Sequence, residues 1–173
     1  MATSTLLKWK YKMALSEILK LGDQRLLEKA SPVSREDLPD LIPFIAKMDR
    51  LILEFRSRYG RGRAIAAPQI GLMKRIICIN TGKPQVLINP VIEDASDEMM
   101  EVWDDCMSFP DLFVKLKRHK RISISFLDIN LVKHFWNLED DMSELLQHEY
   151  DHLDGILAIS KAENVGCFRW SNE

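Results

Sequence analysis

Apolar residues recur at helical spacing over Leu41, Ile45, Met48, Ile52 and Phe55. The stripe predicts an amphipathic helix that ends near Tyr59-Gly60 and serves core packing. Pro39 suits a first turn, and Pro43 is expected to distort the helix if it has begun by then. Downstream the period shortens. Residues 75–80 and 86–89 are β-branched runs bounded by Gly82, Pro84 and Pro90 and read as strands. Residues 121–128 alternate, with Ile122, Ile124 and Phe126 on one face and Ser123 and Ser125 on the other, as in a half-buried strand. Residues 94–101 are acidic and read as a solvated loop. No regular alternation of strand and helix appears, so the expected class is α+β with mostly antiparallel strands.

A second helix is expected near the end of the chain. Asp141 followed by Glu144 reads as an N-cap with its reciprocal partner, Leu145 and Leu146 are apolar anchors, and Gly155 is placed to stop it. On this helix lies His148-Glu149-Tyr150-Asp151-His152. Residues four apart stack on one helix face, so both imidazoles can address one metal ion. Glu149 sits one position round, where it can reach a water without ligating the metal. The plain alternative is a surface helix whose histidines happen to be four apart.

The chain has 173 residues, 46% of them hydrophobic, enough for one domain with a core. The formal net charge of -2 excludes a general nucleic-acid or membrane-surface binder. No apolar run is long enough to span a bilayer. Cys78, Cys106 and Cys167 are odd in number and widely spaced, which points to a reducing compartment rather than a disulfide framework. Residues 1–16 carry Lys8, Lys10 and Lys12 and no acid. A short segment without arginine fits an ordinary extension better than a transit peptide, and Met13 is an alternative start. Residues 1–12 are therefore expected to be an N-terminal extension and 13–173 a single catalytic domain. Bacterial cytosol is the expected location, with an organelle left open. Lys115, Lys117, Arg118, His119, Lys120 and Arg121 read as a solvated strand edge, with a phosphate or RNA contact as the minor reading.

Two histidines leave a catalytic metal site one protein ligand short. One metalloprotease class continues to a third histidine, but Ala158 stands at that position. Upstream candidates are Asp104, Asp105, Cys106, His119 and His134. Cys106 stands out because a thiolate is a strong ligand for zinc or ferrous iron, and it lies in a turn-prone stretch. Its plain reading is an ordinary buried cysteine. Small residues dominate positions 62–71 and let a ligand or another backbone approach closely.

In order and spacing, residues 62–69, then Cys106-Met107-Ser108, then His148 to His152 resemble the three motifs of peptide deformylases, G-x-G-x-A-A-x-Q, E-G-C-x-S and H-E-x-x-H. The resemblance implies sheets around the H-E-x-x-H helix and metal ligands Cys106, His148 and His152. It implies Glu149 as general acid/base, with the Gln69 amide and the Met107 N–H stabilising a developing oxyanion. Gly62, Ala64 and Asp105 fall where substrate would pass. The implied cofactor is one divalent ion, ferrous iron first, with zinc, nickel or cobalt able to replace it. The implied substrate is a polypeptide with an N-formylmethionine, met with transient ribosome contact by a monomer or homodimer. No DNA or membrane partner is implied. Three positions depart from the pattern: Ala64 replaces a glycine, Asp104 a glutamate, and Asp105 the glycine before the cysteine. An Asp105 carboxylate aimed inward would crowd or redirect substrate, and one aimed outward would be tolerated. The alternatives are an amidase for other formylated compounds, a binding protein without activity, and a general metalloprotease.

Overall fold

The computed structural model describes residues 15–171. The expected extension at residues 1–12 and Met13 lie outside the described residues. The apolar stripe forms α1, Leu38–Tyr59, which closes on Gly60 in the left-handed conformation with its N–H bonded to the Arg56 carbonyl. Pro43 does not end it. The proline lies in the second turn on the exposed side, where a missing N–H costs little tertiary contact. Leu41, Met48, Leu51, Ile52 and Phe55 are its buried residues.

Five strands form one antiparallel sheet in the order β1-β2-β3-β6-β7: β1 Ala64–Ala66, β2 Ile76–Asn80, β3 Pro84–Ala95, β6 Arg121–Leu127 and β7 Lys133–Glu139. Three more, β4 Met99–Asp105, β5 Leu112–His119 and β8 Phe168–Trp170, form a second antiparallel sheet in the order β4-β5-β8. The acidic stretch at 94–101 is not a loop throughout. Its ends belong to β3 and β4, whose outward positions carry the charge that made it look like loop. Pro90 sits inside β3 where the register with β6 shifts, the position at which a strand tolerates proline.

The H-E-x-x-H helix is α2, Asp140–Leu153. It begins one residue before the expected cap: Glu139 is the N-cap and makes no side-chain capping bond. Asp141 and Glu144 instead hold Arg63, at 2.9 and 3.0 Å. Gly155 follows the helix at φ 71°, where an added Cβ would lie 2.4 Å from the Leu27 carbonyl oxygen, so only glycine fits.

Every residue of β2 is buried. Ile76 and Cys78 pack with α1, while Ile77 and Ile79 pack with Leu145, Leu146 and Leu153 of α2. A strand covered on both faces reads as a continuous apolar run, which is why residues 75–80 stood out. A third cluster, Cys106, Phe109, Val114, Leu116 and Ala158, lies under the small sheet. The helix α2 is thereby held between the two sheets, with its histidine face against the start of the turn after β4.

Candidate metal centre

His148 and His152 converge as their spacing requires, with ring planes at 80° and Nε2 atoms 3.2 Å apart. Cys106 enters from the turn that follows β4, its Sγ 3.2 Å from His152 Nε2. The three ligand atoms lie within 4.8 Å of one another, and all three residues are buried. Donors around a tetrahedral ion at about 2.0–2.3 Å stand roughly 3.3–3.7 Å apart, close to this spacing. A soft sulfur with two imidazoles fits a divalent transition metal. The competing upstream candidates stand elsewhere: His119 Nδ1 lies 2.7 Å from the Ser96 carbonyl oxygen and His134 Nε2 2.9 Å from Asp128.

Behind the donors runs a chain of charges. Asp104 Oδ1 lies 2.7 Å from His148 Nδ1, which keeps the proton on that nitrogen and frees Nε2 for a metal. Arg118, 1% exposed, reaches Asp104 at 2.6 Å and Asp151 at 2.5 Å. Burial opposes ionisation of Asp104, but His148 and Arg118 more than offset it and hold the carboxyl well below its ordinary value. Burial likewise opposes charge on His148, yet Asp104 and Cys106 raise it well above the usual imidazole. At His152 burial and the charge of His148 act together, and its pKa falls well below the ordinary value.

Glu149 is buried, with its Oε2 unpartnered. Burial pushes its carboxyl up to about 7, against the opposing charge of His148. Gln69 comes from the 3-10 turn Ala67–Ile70 that follows β1. Its Oε1 accepts from the Ala66 N–H at 2.9 Å, which turns the amide nitrogen towards Ser108 Oγ at 3.2 Å and Cys106 Sγ at 3.5 Å. Gly62, Ala64, Asp105, Met107, His148 and Glu149 share a cavity of about 290 Å³. At Gly62, φ 111°, an added Cβ would lie 2.8 Å from the Phe55 ring and 3.1 Å from Met107 Cε. Asp105 points neither at the donors nor freely into solvent: its carboxylate lies 3.0 Å from Arg61 Nε. Burial raises its pKa, with Arg61 opposing.

An N-terminal strap, unforeseen from the sequence, grips this site. Leu19 N–H bonds the Gln69 carbonyl at 2.8 Å, Leu21 N–H the Ser108 carbonyl at 3.1 Å, and Lys20 Nζ the Met107 carbonyl at 3.1 Å. Burial lowers the Lys20 pKa, with Cys106 opposing. No periodic signal marks such a contact, because it joins residues 87 positions apart. The basic run divides in two. Arg118 is interior, while Lys115, Lys117, Lys120 and Arg121 pair with Glu101, Glu163 and Glu98. Those pairs fit the reading of a charged, solvated strand edge.

The family model for polypeptide deformylase matches residues 15–166. The chain belongs to the peptide deformylase family. It is 37% identical to a peptide deformylase of Heliobacterium modesticaldum over 155 residues, 88% of this chain and 97% of the relative. A peptide deformylase of Thermodesulfovibrio yellowstonii is 37% identical over 157 residues, 86% of this chain and 90% of the relative. Among solved structures, the deformylase of Synechococcus elongatus in complex with actinonin aligns with TM-score 0.78 and 31% identity, over 86% of this chain and 79% of that one. The deformylase of Thermotoga maritima aligns with TM-score 0.77 and 30% identity, over 85% of this chain and 97% of that one. Membership makes the protein a metal-dependent amide hydrolase with a Cys/His/His metal-binding group, on the α+β antiparallel fold expected of it. Among the described residues no helix is long and apolar enough to cross a membrane.

Proposed function

We propose that the chain removes the N-formyl group from the N-terminal methionine of newly made polypeptides, releasing formate, with Glu149 as general acid/base. The observation that carries this reading is three convergent buried metal donors, one of which, His148, opens on a cavity with the unpartnered carboxylate of Glu149, while an oriented amide stands beside another, Cys106. Cys106, His148 and His152 would hold a divalent ion, ferrous iron first among candidates, which when bound would supply Lewis acidity for the water and the formyl carbonyl. Glu149 takes a proton from the attacking water and passes it to the leaving amine. Burial, which disfavours the Glu149 carboxylate, helps it hold the proton between the two transfers. The Gln69 amide nitrogen and the Met107 N–H stabilise charge growing on the formyl oxygen. Asp104 fixes the orientation and proton of His148. Gly62 and Ala64 keep the cavity wall low where the peptide passes.

Protein purified without oxygen and loaded with ferrous iron or nickel is expected to release formate from a formyl-methionyl tripeptide. Oxygen is excluded because a thiolate site is prone to oxidation. Glu149→Ala should lose turnover by at least about 10²–10⁴-fold while still holding metal. Metal-loaded protein that releases no formate from any formyl peptide overturns the reading.

A further inference from the structure

The cavity has one wall whose charge is set by a single pair. Of the arginines lining it, Arg63 is committed to Asp141 and Glu144, and Arg56 to the carbonyls of Gly62 and Asn80. Arg61 and Asp105 face each other, Nε to Oδ2 at 3.0 Å, with side chains 25% and 35% exposed. Neither depends on the other for its place. Arg61 also donates to the Pro110 carbonyl, and its guanidinium lies 4.8 Å from the Phe113 ring centroid and 5.9 Å from that of Tyr59. Asp105 is held in the β4–β5 ladder opposite Phe113. Removing either charge therefore leaves the other standing at the cavity. Asp105 immediately precedes Cys106, and consecutive Cα atoms are about 3.8 Å apart, so an extended substrate with its formyl end at the metal donors passes this wall within roughly its next two residues.

We infer that the Arg61–Asp105 pair determines specificity: together the two charges cancel and make the enzyme indifferent to charge in the two residues after the formylated one, while either alone imposes a preference. The inference rests on the deformylase reading and goes beyond it. It explains how an aspartate is accommodated where the family pattern has glycine. The pair acts on substrate charge rather than on the bond broken.

The test compares kcat/KM for formyl-Met-Asp, formyl-Met-Lys and formyl-Met-Ser peptides, and for the same residues one place further on. The unaltered enzyme should treat the charged peptides alike within about twofold. Asp105→Asn should favour the acidic peptide over the basic one by about fivefold, as an exposed charge pair provides. Arg61→Gln should reverse the preference by a similar factor, chiefly in KM, and the double variant should restore indifference. A uniform loss across all peptides in both single variants, without reversal, overturns the inference and assigns the pair a structural role. No turnover by unaltered, metal-loaded enzyme overturns the deformylase reading and this inference with it.

Discussion

Asp104 and Asp105 end the same strand, and the alternation of strand side chains sends their carboxylates to opposite faces. Asp104 turns inward, with no exposed side-chain surface, against Arg118 and His148. Asp105 turns outward, 35% exposed, against Arg61. Both are aspartates opposite arginines, but burial gives the contacts different stakes. A buried ion pair is costly to break because the survivor is left charged and dry, whereas a half-exposed pair is screened by water. The inner contact therefore governs whether the metal donors stand where they do, and the outer one which peptides pass.

Four measurements test that contrast, in descending order of expected effect. Arg118→Ala leaves both Asp104 and Asp151 without their buried partner, and the metal-free protein should lose about 3–5 kcal/mol of unfolding free energy in a urea titration. A loss below about 1 kcal/mol would mean that the interior is wetter than the contacts imply.

Glu149 is a third carboxylate, buried like Asp104 but with an unpartnered oxygen. Its folded pKa is raised from 4.5 to about 7, so the penalty for ionising it is absent below the unfolded value and grows as pH rises towards 7. Glu149→Gln should leave metal-free stability unchanged at pH 4 and raise it by about 3 kcal/mol at pH 8. A gain that does not depend on pH would show that the carboxyl is not held protonated by burial.

Asp104→Asn keeps the shape but weakens the grip on His148 Nδ1. Metal affinity, read by competition with a chelator, should fall about 10–100-fold. The smallest effect belongs to the outer pair: Arg61→Gln should change unfolding free energy by no more than about 1 kcal/mol. A cost as large as that of Arg118→Ala would erase the distinction between the two sides of the strand.

The metal donors were legible because their chemistry imposes spacing. The i, i+4 spacing marked the two histidines and thiolate chemistry in a turn marked Cys106, whereas Gln69 was marked only by the resemblance to deformylases. Helix α1 and strands β2 and β6 were legible from one covered face or two. The end of β5 showed only as a basic strand edge, and β4 and β7 did not show, because charged and polar residues interrupt their apolar positions. Arg118 hid in the same way inside a basic run. Its mark was alternation: Val114, Leu116 and Arg118 share the inward face of β5, so an arginine occupies a core position. The strap through Lys20 left no local trace, since its partners exist only in the folded chain.

That strap also orders events during synthesis. Leu19, Lys20 and Leu21, which brace Gln69, Met107 and Ser108, leave the ribosome before those anchors, and His148 and His152 leave after them. Lys20 must wait for 87 further positions before its Met107 anchor exists. The centre is thus closed by a stretch made well before its metal donors, and no shortened nascent form lacking α2 can hold metal with all three donors.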